Sequence, residues 1–490
     1  MKKFAFALIL ISVAVIGYFM VISKPAPEPE PVQRDDVTLR STTAGDVVGF
    51  IDSHGARAWK GIRFAEPPAG NLRWRAPQPP TPWSGVVEAL APGNICPQMK
   101  NPLSGGPGEP DRVSVGEEDC LYLNVWAPVN ASRLPVMFWI HGGGNTIGDG
   151  GSYNGATLAA NQNVIVVTIN YRLGPFGWFA HPDLNRGNPL DDSGNYGTLD
   201  IIAALEWTRD NISGFGGDPG NVTVFGESAG AFDTLAMMAS PLAEGLFHRA
   251  IVQSGGFNPN TLASAQSFES EGGHPNSAPE IVSKLLVQDG TVGDLEAART
   301  YHADMGPAAT REYLYSKTPE EIFTLFADDS FAGMINTVDT FLDGHVLPDL
   351  TTREIFANPR NHNVVPVILG TNRDEPALFM AQVPDNLDTF LFVFPRLKDE
   401  DAYLRAVKYG GLSWKERGVD SLARYMTAAG NPNVYAYRFD WDEEGSMIGY
   451  DLSKALGAAH GLEIPFVFGD FEGGFAALGD FFTASPGRDG

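Results

Sequence analysis

The run Val222-Thr223-Val224-Phe225-Gly226-Glu227-Ser228-Ala229-Gly230 sets a serine between two glycines at the end of a β-branched, apolar segment. A small-residue, helix-compatible stretch follows. Strand, Gly-x-Ser-x-Gly and helix in that order turn the backbone sharply and hold a serine hydroxyl at the apex. The glycines leave room where a Cβ would collide with the neighbouring strand and helix, so the serine can accept a strained backbone. Such a serine serves as a nucleophile when a base takes its proton and amide donors hold the resulting oxyanion. The pentapeptide alone is weak, because with Gly this abundant it arises by chance in roughly one such chain in three. A second stretch offers the donors. His141-Gly142-Gly143-Gly144 directly follows the apolar run Val136–Ile140, and glycines after a buried strand let N–H groups point into one concavity. Alone it is as readily a plain Gly-rich turn. Together the two motifs make a strong pair.

The elements that must position these residues are legible as apolar runs. Val136–Ile140, Val164–Asn170, Val222–Gly226, Ile251–Ser254 and Val364–Gly370 read as buried central strands, with a late strand at Val434–Trp441. Helical patterns at Leu199–Asn211 and Ala229–Ser240 lie between them. Alternation of this kind predicts an α/β fold built on a mostly parallel, doubly wound sheet. Ahead of it, Val47–Ile51 and Ala58–Phe64 read as a small antiparallel edge, followed by a Pro-rich wrap. Residues 258–331 break the rhythm with polar loops and amphipathic pieces, Pro279–Val287 and Pro319–Phe326. They are expected to form an inserted helical cap that shapes the pocket. A further helical region spans Asp399 to Ala429.

With 490 residues, 43% of them hydrophobic, the chain can bury a large core. A net charge of −25 argues against nucleic acid and anionic membrane surfaces as partners. Met1-Lys2-Lys3 and the apolar run Phe4 to Ile22 read as an export signal. The run is long for a cleaved signal and about right for one membrane span, while Val21 and Ser23 also fit a cleavage site before Lys24. Residues 1–23 are therefore a signal peptide or an N-terminal anchor, and the lysines place the rest on the periplasmic or extracellular side. Residues 24–36 form a stiff Pro/Glu-rich linker, and 37–490 form the folded domain. The two cysteines, Cys96 and Cys120, belong to no Cys-x-x-Cys and have no His cluster nearby. A free or metal-binding pair stays open, and export would favour a disulfide. Nothing in the sequence sets an oligomeric state.

The chain resembles the type-B carboxylesterase/lipase family, the cholinesterase-like branch of the α/β-hydrolases, from about Val47 to Gly469. The motifs carrying the resemblance are Lys60-Gly61-Ile62-Arg63-Phe64-Ala65, Glu118-Asp119-Cys120-Leu121-Tyr122-Leu123-Asn124-Val125, Asn195-Tyr196-Gly197, Phe215-Gly216-Gly217-Asp218-Pro219, the serine turn, and Leu246-Phe247-His248-Arg249-Ala250-Ile251. The resemblance implies an α/β-hydrolase fold and a serine carboxylesterase acting on small-to-medium uncharged esters without metal or cofactor. It assigns Ser228 as nucleophile and Gly143, Gly144 and Ala229 as oxyanion donors. It makes Glu375, in Gly370-Thr371-Asn372-Arg373-Asp374-Glu375, the triad acid, and His460, in Ala459-His460-Gly461-Leu462-Glu463-Ile464, the base. Both follow strands, at the sheet end where an α/β fold builds its site. It also pairs Cys96 with Cys120. The segment Pro97 to Asp119 contains no aromatic residue, which argues against a quaternary ammonium ester as substrate.

Three positions depart from the family. Asn145 stands where an apolar residue is usual, Pro376 follows the acid where Gly is frequent, and the chain ends at Gly490, short of the family's last helices and strand. The ending Ala484–Gly490 carries no core pattern, so a truncated C-terminal end is expected. The competing readings are a lipase for long acyl chains and a catalytically impaired or adhesion-like member.

Overall fold

Six parallel strands lie side by side because their residues are apolar on both faces, which suits a sheet covered on both sides. In the computed structural model, nine strands form the main sheet: β1 (Phe50–Ile51), β2 (Arg57–Arg63), β3 (Tyr122–Ala127), β4 (Leu134–Ile140), β5 (Ile165–Ile169), β6 (Gly217–Glu227), β7 (Arg249–Gln253), β8 (Val367–Asn372) and β9 (Val434–Phe439). Their order is β9-β8-β7-β6-β4-β5-β3-β2-β1. Strands β4 to β9 are parallel, and β3, β2 and β1 add antiparallel pairs at one edge. The structure describes residues 32–100, 113–328, 330–383, 385–390, 394–443, 445–447 and 450–471. The apolar run Phe4–Ile22, most of the linker and the ending Ala484–Gly490 lie outside them. Contacts divide the chain into Met1–Arg34 and Asp35–Gly490; the fold is that of the second unit. No helix among the described residues is long and apolar enough to cross a membrane.

Successive side chains enter opposite cores, as the two-residue period of a strand requires. Phe138, Val167 and Val224 pack in one core, and their neighbours Trp139, Val166 and Phe225 pack in the other. Helices α1 (Tyr196–Asn211) and α2 (Ala229–Ala239) bury Leu205 and Leu235 in the first. The expected edge is found in part. Phe50–Ile51 pairs with Arg57–Arg63, while Asp46–Val48 leaves to join a separate three-stranded sheet.

The insertion holds α3 (Ala278–Gln288) and α4 (Leu295–Ser316), the latter broken at Gly306, whose φ of 72° is non-helical. It does not build a core of its own. Ile281, Leu285 and Phe323 pack with Trp74, Phe176 and Phe179 of the main body, which makes it a cap. The later helical region is α5 (Glu400–Lys415) and α6 (Ser421–Ala428), joined by a π-helical turn over Glu416–Asp420. A short α7 (Ile464–Phe468) ends the described chain.

Candidate active site

Register brings the site together. Gly226 of β6 pairs with Ile140 of β4, Glu227 pairs with Gln253 of β7, and Gln253 pairs with Gly370 of β8. The chain leaves the sheet here at His141, Ser228 and Ser254, while β8 runs two residues further to Asn372, so four loops open at one edge.

Ser228 has φ 56° and ψ −123°, and α2 begins at the next residue. A φ in that region is costly for a side chain with a Cβ. The packing around the turn imposes it: a Cβ on Gly230 would lie 2.0 Å from the Ile140 carbonyl, and one on Gly226 would lie 2.4 Å from the Gly230 carbonyl. The turn also fixes the neighbouring glycine run. A Cβ on Gly142 would meet Ser228 Cβ at 3.0 Å. The Gly143 carbonyl accepts from Thr146 and Ile147, at 3.1 and 3.0 Å. The peptide is planar and trans, so the Gly144 N–H points the opposite way. Among the described residues, the amides of Gly143, Gly144 and Ala229 have no acceptor in the protein.

Glu375 follows β8 in a tight turn and is fully buried. Its Oε1 accepts from Thr371 Oγ1 at 2.8 Å and from the Asn372 amide at 2.7 Å. Its Oε2 lies 2.6 Å from His460 Nδ1. Pro376 sits just ahead of the one-turn helix Ala377–Met380, a position where its missing N–H costs nothing. His460 comes from the turn before α7 and is clasped by the rings of Phe379 and Trp414, at centroid distances of 5.1 and 5.0 Å. The structure thus brings Ser228, Glu375 and His460, distant in sequence, to one place. No hydrogen bond joins Ser228 Oγ to His460. The Nε2 atom lies 3.2 Å from Glu227 Oε1 instead, outside hydrogen-bonding geometry. A nucleophile–base bond is often long before substrate arrives.

Two further acids complete the surroundings. Glu463 accepts from Asn372 Nδ2 at 2.6 Å and from Ser254 Oγ at 3.2 Å. Glu227 has one carboxyl oxygen without a partner. Burial works against the His460 imidazolium, but Glu227 and then Glu375 outweigh it and raise the ring to about 9. Burial also pushes Glu227 up to about 8, His460 opposing this and Glu463 and Glu375 adding to it. Glu463 is raised by burial and by Glu375. Glu227 and Glu463 lie inside the serine and histidine motifs, which assign them no part. The signal available was position: an acid next to the serine, and another three residues after the histidine. Phe379 and Trp414 gave no signal at all.

Ser228, His460, Glu227, Gly142 and Gly143 line one cavity of about 470 Å³. Its other walls are mainly apolar, including Leu378, Phe379, Trp441, Leu462 and Phe466. Gly144 is exposed beside Met334, and Ala229 is buried at the start of α2. The expectation that the cap over 258–331 shapes the pocket is corrected here. Among the described residues near the cap only Ala332 and Met334, just past it, contribute, and about half of the lining residues come from 378–382 and 441–471. The cap instead packs on Phe176 and Phe179. Cys96 and Cys120 form the disulfide; residues 101–112 between them lie outside the described residues.

Comparison with known proteins places this arrangement. The sequence pattern of the Carboxylesterase family matches residues 36–417. The chain is 38% identical over 451 residues to para-nitrobenzyl esterase of Bacillus subtilis (strain 168), covering 88% of this chain and 83% of that one. It is 34% identical over 461 residues to fumonisin B1 esterase of Sphingopyxis macrogoltabida, covering 90% and 76%. A solved para-nitrobenzyl esterase structure superposes with a TM-score of 0.64 at 32% identity, over 92% of this chain and 87% of that one. A Geobacillus stearothermophilus carboxylesterase gives 0.66 at 29%, over 92% and 86%. The α/β-hydrolase fold with its mostly parallel sheet is therefore that of a carboxylic ester hydrolase, and the chain belongs to the carboxylesterase family.

Proposed function

We propose that the protein hydrolyses small-to-medium uncharged carboxylic esters through an acyl-enzyme on Ser228. His460 takes the Ser228 proton as the hydroxyl attacks the ester carbonyl, and returns it to the leaving alcohol. Glu375 holds the imidazole in the tautomer with its proton on Nδ1 and stabilises the imidazolium. The amides of Gly143, Gly144 and Ala229 receive the oxyanion, each contributing about 10²–10³ in rate. Water then attacks the acyl-enzyme with His460 again as base. The observation carrying this reading is the 2.6 Å contact from His460 Nδ1 to buried Glu375, with His460 and Ser228 lining the same cavity.

The substrate class rests on the cavity. At about 470 Å³ it lies in the lower half of the range that holds small ligands. Among the described residues its lining contains Asp149 and Glu227 but no Lys or Arg, so apart from the base His460 no side chain offers a cation to an anionic ester. A p-nitrophenyl ester series, run on wild type beside Ser228→Ala, tests the reading. Turnover is expected to peak at short-to-medium acyl chains and to fall at least about 10⁴-fold in Ser228→Ala. A maximum at long chains would make the protein a lipase. Residual turnover near wild type would remove Ser228 from the mechanism. We also propose that residues 1–23 direct export, as signal or anchor. The Cys96–Cys120 disulfide supports an oxidising compartment.

A further inference from the structure

Beneath the glycine run lies a buried polar cluster that the triad does not use. Tyr171 donates to the His141 carbonyl at 2.6 Å, and its ring stacks on the His141 imidazole at 4.3 Å. At the other end of the run, Asn145 takes a left-handed φ of 57°, a conformation asparagine tolerates better than most residues. Its backbone carbonyl accepts from the Gly174 amide at 2.7 Å. Its Nδ2 donates to Asp339 Oδ2 at 3.1 Å, and its Oδ1 is 3.4 Å from the Tyr171 hydroxyl. The three glycines are thus pinned before and after. Asp339 is itself anchored, since Asn260 Nδ2 donates to its backbone carbonyl at 2.6 Å and to its Oδ1 at 3.3 Å.

The second carboxyl group is Asp233, on α2 five residues after Ser228. It is fully buried and neither carboxyl oxygen has a partner in hydrogen-bonding geometry. Asp339 interacts with it electrostatically. Two carboxylates that interact in a dry site resist ionising together. The other groups facing the pair are Asn145, Asn260, the Tyr171 phenol and, behind it, Tyr153 and the His141 ring. None is a cation: burial lowers His141 and raises both tyrosines. Burial and then the neighbouring Asp339 hold Asp233 well above its ordinary range, and burial raises Asp339 as well.

We propose that Asn145 is a positioning residue for the oxyanion-binding glycines, held by Asp339, and that the buried Asp233–Asp339 pair keeps this clamp closed only while it retains a proton. The proposal rests on the reading that Gly143 and Gly144 receive the oxyanion. Loss of the pair's last proton to solvent leaves two interacting buried anions. Their repulsion moves Asp339, and the turn Gly143–Ile147 follows Asn145. The amides then lose their aim at the oxyanion while the binding cavity, formed by other residues, persists. The effect therefore falls on kcat and appears at alkaline pH.

The test is a set of pH–rate profiles with p-nitrophenyl butyrate, uncatalysed hydrolysis subtracted, with a thermal melt for each variant. Asn145→Ala is expected to lower kcat about 10- to 100-fold with KM changed less than about threefold. Asp233→Asn, which removes the second titrating group at nearly the same shape, is expected to shift the alkaline fall in kcat upward by about one pH unit or more. The exchange Asn145→Asp with Asp339→Asn restores one donor against one acceptor and should recover much of the loss seen in Asn145→Ala. An alkaline limb in Asp233→Asn that coincides with wild type overturns the proposal. So does an Asn145→Ala enzyme with kcat within twofold of wild type. If Asn145→Ala does not fold, the Asp233→Asn profile decides. Ser228→Ala in the same series separates the layers: turnover there contradicts the nucleophile reading, whatever the other variants do.

Discussion

His460 faces two carboxylates, and they stand on different ring nitrogens. Glu375 meets Nδ1 at 2.6 Å with its other oxygen held by Thr371 and the Asn372 amide, so its geometry is fixed by the backbone. Glu227 stands 3.2 Å from Nε2, the atom that must receive the serine proton. A negative charge there favours the imidazolium and so disfavours the free base. The sign follows directly: with the ring raised to about 9 by Glu227 and Glu375 against burial, neutral His460 becomes more abundant as pH rises. Removing the Glu227 charge lowers the ring pKa. Glu227→Gln is therefore expected to move the acid limb of kcat/KM to lower pH, read from a full pH profile. An unmoved limb, or one displaced upward, would mean that Glu227 does not govern the titration of the base.

At the scale of elements, the serine turn depends on space more than on sequence preference. Gly230 sits against the end of β4, where a Cβ would meet the Ile140 carbonyl at 2.0 Å. That carbonyl is backbone and cannot swing aside as a side chain would. Gly230→Ala should cost at least about 1–3 kcal/mol and lower kcat, because relief requires α2 or β4 to shift and both carry the site. A melt and a rate measured on the same sample check this; a variant as stable and active as wild type would contradict it. The central strands were legible because their apolar runs are nearly continuous. Strand β3, Tyr122–Ala127, is not legible in the same way. It is antiparallel to β5 and carries a buried Asn124, which donates to Thr168 at 3.0 Å. A polar residue satisfied across the sheet looks like a break in one dimension. Helix α4 is obscured in the sequence for a different reason. Gly306 and Pro307 interrupt its pattern, and the chain resumes the helix beyond them.

For the whole molecule, the site follows from topology. Parallel strands in register end close together, so Ile140, Glu227, Gln253 and Asn372 deliver their loops to one edge of the sheet. That is why Ser228, Glu375 and His460, legible only through motifs and family resemblance, meet in space. What the sequence could not give is the wall of the cavity. Much of it comes from residues 378–382 and 441–471, where only the stretch around His460 carries a motif, whereas the cap over 258–331 packs elsewhere. The partners of Asn145 were likewise hidden, since Asp233 and Asp339 are separated by more than a hundred residues and neither belongs to a pattern.

The central claim is that Ser228 carries the acyl group. It is tested most directly by intact mass and peptide mapping after reaction with a p-nitrophenyl alkylphosphonate, a mimic of the tetrahedral intermediate. The account predicts one adduct per chain, mapped to Ser228, with release of one equivalent of p-nitrophenol and loss of esterase activity, and much slower labelling in His460→Ala. An adduct on another residue, or full inactivation with Ser228 unmodified, would contradict it.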